Sequence, residues 1–152
     1  MSSFEASVNS NVVKKLKALI VDDDTITRMI LKALLMKFGV KTHEAKNGQE
    51  AILAHHSGAC FDLILMDLYM PIMNGRQTTK ELRDMYVCSL IVGMTSQEKE
   101  EEKKSFMDAG LDYYYQKPLT NDESHYLVEK IKGNALSLSK LKSIDLIHML
   151  IY

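Results

Sequence analysis

Short apolar runs alternate with amphipathic stretches along most of the chain. Ala18-Leu19-Ile20-Val21 is an unbroken apolar run, the pattern of a strand covered on both faces. Met29, Ile30, Ala33, Leu34 and Phe38 then recur at helical spacing, with Asp24 or Thr25 as the candidate cap and Gly39 beyond the end. Val40 to Ala45 predicts a second strand, Asn47-Gly48 a turn, and Glu50 to His56 a second helix. Phe61 to Met66 predicts a third strand. Pro71, Asn74 and Gly75 break the chain before a helix over Gln77 to Tyr86. Ser89 to Met94, Gln97 to Met107, Asp112 to Gln116 and Asn121 to Lys132 complete the series as strand, helix, strand and helix.

Strands alternating with helices at short spacing predict an α/β fold, with a parallel central sheet of five strands and helices on both faces. The pattern divides the chain into a polar N-terminal extension (1–16), one folded domain (17–133) and a tail (134–152) too short for an output domain. The tail ends in Ile144, Leu146, Ile147, Met149, Leu150 and Ile151. That composition fits a helix extension packed on the domain or a sequence with little order, with a partner or dimer contact as the other reading, so the expected state is a monomer or weak dimer.

Charge narrows the function classes. Among 152 residues, 19 Lys and Arg face 20 Asp and Glu, a formal net charge of -1. Such a balance gives no uniformly basic face, and neither nucleic acid nor an anionic membrane is an expected partner. The first fifteen residues are polar and rich in Ser and Asn, unlike a signal or transit peptide, and no run is long enough to cross a membrane. Cys60 and Cys88 form no C-x-x-C pair. They are expected in the core as small hydrophobes, in a reducing compartment, cytoplasmic or nuclear. His55-His56 is expected on the surface, because adjacent histidines do not share one helical face.

In an open parallel sheet, ligands bind beyond the carboxyl ends of the strands. Here those ends carry Asp22, Asp23 and Asp24, then Asp67, then Thr95-Ser96, then Gln116-Lys117 followed by Pro118. Carboxylates that close repel one another, and a divalent cation removes the conflict. Hard oxygen donors suit Mg²⁺. A metal ion with a lysine makes a pocket for a phosphoryl group, and one carboxylate is then a candidate nucleophile towards phosphorus.

Four motifs, in this order, resemble the response-regulator receiver domain of two-component and phosphorelay signalling. They are Leu19-Ile20-Val21-Asp22-Asp23-Asp24 with Arg28, Leu65-Met66-Asp67-Leu68-Tyr69-Met70-Pro71 with Gly75, Met94-Thr95-Ser96, and Tyr114-Tyr115-Gln116-Lys117-Pro118. The resemblance covers about Lys17 to Lys132 and implies the flavodoxin-like strand order 2-1-3-4-5. It implies that Asp67 is the phosphoacceptor, Asp23 a direct Mg²⁺ ligand and Asp22 a carboxylate acting mostly through water. Tyr69 falls where the backbone carbonyl reaches the metal, and its side chain lies near the line of water attack. Thr95 and Lys117 are implied contacts of the phosphoryl group, Tyr114 the aromatic switch position, and Lys117-Pro118 a cis peptide.

Among receivers, the whole chain is similar to the stand-alone type-C regulators of plants. That likeness implies a phosphohistidine donor, either a histidine-containing phosphotransfer protein or a histidine kinase. It also implies cytokinin-linked signalling, with service as a phosphoryl sink or phosphohistidine phosphatase. The donor is expected on the first helix near Thr27, Ile30 and Leu31. The charged run Glu98 to Lys104 reads as a solvated helical face. Two alternatives stay open. A haloacid-dehalogenase-like small-molecule phosphatase wants D-x-D-x-T/V, which Asp22 and Asp24 meet but Ile26 does not. A receiver-like module that only docks proteins is the other. No G-x-x-x-x-G-K-[ST] occurs, which excludes a P-loop.

Overall fold

The computed structural model describes residues 15–151, apart from the side chains of 137–148. Five strands form one parallel sheet: β1 (Lys17–Val21), β2 (Lys41–Ala45), β3 (Leu63–Asp67), β4 (Leu90–Thr95) and β5 (Tyr113–Gln116), in the order β2-β1-β3-β4-β5. The helices are α1 (Thr25–Met36), α2 (Gly48–His56), α3 (Gly75–Asp84), α4 (Glu100–Asp108) and α5 (Asn121–Ile151). Element order and strand order match the expectation.

The period of two along the central strands divides the core. Ala18, Ile20, Leu63, Leu65, Val92 and Met94 face one side, against Leu31 and Leu35 of α1 and Leu127, Val128 and Ile131 of α5. Leu19, Val21, Ile64, Met66 and Ile91 face the other, against Ala51 and Ile52 of α2, Leu82 of α3 and Phe106 of α4. Both faces are covered, which is why β1 and β3 read as continuous apolar runs rather than alternating ones. Register then fixes the functional edge. Val21 pairs with Met66, so the next residues, Asp22 and Asp67, leave the sheet side by side.

Caps decide the helix boundaries. Asp24, not Thr25, caps α1, accepting from the Thr27 backbone N–H at 3.0 Å. Asn74 and Gln77 form a reciprocal capping box, which starts α3 at Gly75, two residues earlier than the apolar spacing predicted. Val40 is buried but precedes β2, its N–H turned back to the Leu35 carbonyl. α5 continues well past Lys132 to Ile151, about 46 Å of helix at 1.5 Å per residue.

Two expectations need correction. Cys60 and Cys88 are exposed, not buried. Each lies in the link entering a strand at the amino edge of the sheet, where the neighbouring Phe61 and Val87 take the inward positions. His55 is only half exposed: its ring packs edge-on against Phe61, and Nδ1 lies 2.7 Å from the Ala51 carbonyl oxygen. His56 is exposed as expected. No helix among the described residues is long and apolar enough to cross a membrane.

Candidate functional site

The carboxyl edge gathers side chains from four of the five strands. Asp22 and Asp23 follow β1, Asp67 ends β3, Thr95 ends β4 and Lys117 follows β5. Asp22 and Asp67 are buried while Asp23 is exposed, and each offers a carboxylate oxygen within 4.8 Å of the other two. The Lys117 ammonium bridges this cluster, 2.7 Å from Asp22 Oδ2 and 3.0 Å from Asp67 Oδ1.

One ammonium does not balance three carboxylates. Burial is the main cause that pushes the Asp67 carboxyl up to about 6, and the charges of Asp22 and Asp23 add to it while Lys117 opposes. Burial also works against the Lys117 ammonium, but its hydrogen bond to Asp22 and the charge of Asp67 outweigh that and raise its pKa. The edge is short of positive charge and lined by hard oxygen donors, the chemistry that a divalent cation completes.

The backbone around the cluster is held on several sides. Asp22 Oδ1 accepts the Asp24 N–H at 2.9 Å, and the Asp22 carbonyl accepts Arg28 Nη1 at 2.7 Å. Gly75 donates to the Leu68 carbonyl at 2.8 Å, and a Cβ on Gly75 would collide with the Asp67 carbonyl. Only glycine lets α3 begin so close to the end of β3.

The remaining expected residues occupy distinct places. The buried Thr95 hydroxyl donates to the Gln97 carbonyl at 2.9 Å, so in this state it is turned to the following loop. Tyr69 is 51% exposed, with the Glu102 carboxylate as the chief cause of a raised phenol pKa. Tyr69 and Glu102 line a cavity of about 260 Å³ between α3 and α4, with none of the three acids in its wall. Tyr114 packs edge-on against Phe106 with Lys103 over its ring, and its hydroxyl is buried without a hydrogen-bond partner. Burial raises the Tyr114 pKa. The Lys117-Pro118 peptide is cis. Most of Glu98 to Lys104 is exposed.

The first helix differs from expectation. Leu31 is core, 4% exposed, and Thr27 is half buried. The exposed apolar face of α1 is instead Ile26, Met29 and Ile30. Arg28 follows the first acidic motif, and its place there alone assigns it no task. The missed signal was its spacing: Arg28 shares one helical face with Leu31 and Leu35 at i, i+3 and i+7, and all three are buried.

Residues 18–130 match the family model of the response regulator receiver domain. The chain belongs to that family. It is a receiver domain of two-component phosphorelay signalling. It is 46% identical over 117 residues to two-component response regulator 24 of Arabidopsis thaliana, covering 77% of this chain and 84% of that one. It is 45% identical over 130 residues to two-component response regulator ARR22 of the same plant, covering 84% and 92%. The chemotaxis protein CheY4 of Vibrio cholerae superposes with a TM-score of 0.70 at 28% identity, covering 78% of this chain and 99% of the other. Receiver domains bind Mg²⁺ at an acidic cluster of this kind and interact with histidine kinases or phosphotransfer proteins. The family match leaves no place for the small-molecule phosphatase of the haloacid-dehalogenase type.

Proposed function

We propose that this receiver takes a phosphoryl group from a phosphohistidine protein onto Asp67. The observation that carries the reading is the Lys117 ammonium lying between Asp67 and Asp22, with Asp23 closing the cluster. The carboxylate of Asp67 attacks phosphorus, forming a P–O bond as the P–N bond to the donor imidazole breaks. The imidazole leaves with the electron pair of that bond and takes up a proton. Lys117 gives up one carboxylate to pair with a phosphoryl oxygen. Thr95 exchanges the Gln97 carbonyl for a second phosphoryl oxygen, and Tyr114, whose buried hydroxyl has no hydrogen-bond partner, responds as the switch residue.

Asp22, Asp23 and Asp67, with the Tyr69 carbonyl, would hold Mg²⁺, Asp23 directly and Asp22 mostly through water. Bound there, the ion would offset negative charge on the transferring group. Donor docking uses Ile26, Met29 and Ile30, exposed on the helix that begins at the acidic turn. Docking supplies the alignment that lets an ordinary carboxylate attack in line.

Attack of water on the aspartyl phosphate then returns free phosphate, which would make the chain a phosphoryl sink for its donor. The test is incubation with a phosphorylated histidine phosphotransfer protein and Mg²⁺, following label on both proteins and in free phosphate. Label should leave the donor for wild type and stay on it for Asp67→Asn. EDTA should stop the transfer, and p-nitrophenyl phosphate should not turn over. Full labelling of Asp67→Asn, or an undiminished rate in EDTA, would overturn the assignment.

A further inference from the structure

Arg28 occupies an unusual position for a guanidinium. It is 6% exposed, on the face of α1 that packs against the core. Its three contacts come from three parts of the fold: the Asp22 carbonyl at 2.7 Å, Glu44 Oε1 on β2 at 3.1 Å, and Thr25 Oγ1 at 3.2 Å. It touches no carboxylate of the acidic cluster. Each of its three nitrogens donates once, and together they tie the acidic turn to the first turn of α1 and to the edge strand.

We propose that Arg28 is the positioning residue for the Mg²⁺ ligands Asp22 and Asp23, an inference that rests on the metal site proposed above. The Asp22 carbonyl belongs to the peptide unit that leads into Asp23. Fixing that carbonyl fixes where the Asp23 carboxylate leaves the chain. The Asp22 side chain is held separately, by the Asp24 N–H and by Lys117, so the guanidinium is the contact that sets the peptide between the two acids. Glu44 balances the charge of Arg28, so the positive group beneath the turn does not repel an incoming cation.

Charge and position predict opposite results, and that makes the assignment testable. If Arg28 acted only as a nearby positive charge, its loss would strengthen cation binding. As a positioning group, its loss weakens binding despite the gain in negative charge. Loss of an outer-shell partner lowers metal affinity about ten-fold. Mg²⁺ affinity should be measured by calorimetry for wild type, Arg28→Gln, Arg28→Lys, Glu44→Gln and Asp23→Asn, with thermal melts in EDTA alongside. Arg28→Gln should bind Mg²⁺ about ten-fold more weakly, and Arg28→Lys should recover part of the loss, because one ammonium can reach the Asp22 carbonyl but not all three partners. Glu44→Gln should weaken binding less. An unchanged or tighter affinity in Arg28→Gln, whatever its melting temperature, overturns the positioning role. A loss of the same size in Arg28→Lys as in Arg28→Gln would also count against it. Asp23→Asn is the separate control: if it binds Mg²⁺ like wild type, the metal site itself is misassigned, whereas its failure to bind beside an unaffected Arg28→Gln removes only the Arg28 inference.

Discussion

The two edges of the sheet use the same kinds of side chain to opposite ends. At the amino edge, Arg83 donates to the carbonyls of Gly110, Val87 and Ser89 and meets Asp112 at 2.8 Å. Asp112 also accepts the Ile91 N–H at 2.8 Å. One cation faces one anion, and the spare donors find backbone. At the carboxyl edge, three carboxylates share one ammonium, and Asp67 holds its proton up to about 6. The first arrangement is complete without help and clamps loops. The second is left with more negative than positive charge. Unbalanced charge at the end of a parallel strand, more than the presence of charge, is what separates the site from the staple.

That contrast can be broken by exchanging the consequences. Removing Lys117 should produce the largest effect. Lys117→Met should lower the rate of phosphoryl transfer by roughly 100-fold, since it deletes a preorganised contact to the transferring group. Mg²⁺ binding should survive in this variant. A rate within a few-fold of wild type would show that the ammonium is not part of the chemistry.

Next in size is the amino edge. Arg83→Met should cost about 2 kcal/mol of stability, because it removes an ion pair that is only partly buried and leaves three carbonyls without their donor. Chemical denaturation measures that loss, while Mg²⁺ affinity should not change. A shift in metal affinity comparable to the loss of stability would mean that the edges are not independent.

Asp67 gives the third test, with a defined pH dependence. Its folded-state pKa is raised from an ordinary 3.8 to about 6, so the folded chain binds this proton more tightly than the unfolded chain. In metal-free protein this term therefore favours the fold below about pH 4, fades as pH rises to about 6, and is absent above. Asp67→Asn should raise metal-free stability at pH 7 by about 1–2 kcal/mol, and the gain should shrink towards pH 4. Denaturation in EDTA at several pH values checks this, and a destabilised variant at pH 7 would contradict it.

The smallest effect is local. Asp24→Ala removes the cap of α1 and should cost about 1 kcal/mol. It should also weaken Mg²⁺ binding less than Arg28→Gln does, because the Asp24 N–H that holds Asp22 remains. Denaturation and calorimetry on the same samples compare the two.

Most of this edge was legible before any coordinates. Asp22, Asp23, Asp67, Thr95 and Lys117 were readable because a parallel sheet sends every strand end to one side, so strand prediction and strand-end chemistry reinforce each other. The grip of Arg28 on Asp22 was not readable, since its partner Glu44 lies on a strand brought alongside only by the β1–β2 register, where Ile20 pairs with Glu44. Leu31 was misplaced for a related reason. Apolar residues surround most of α1, and only packing against α5 and the sheet decides which stripe is core. The cysteines were misjudged because average burial says little about a residue in the link before a strand. A helix extension was one reading of the tail's apolar composition, and α5 does run on to Ile151.

Lys117 is 95 residues away from the Asp22 carboxylate it holds. The chain must therefore be made and folded almost to the end of the sheet before its acids acquire their lysine. A chain still emerging from the ribosome, with β1 and β3 already paired, would present the aspartates without the ammonium that positions them. The contact between that ammonium and the acids is thus acquired late, when the fifth strand docks, rather than growing with the chain.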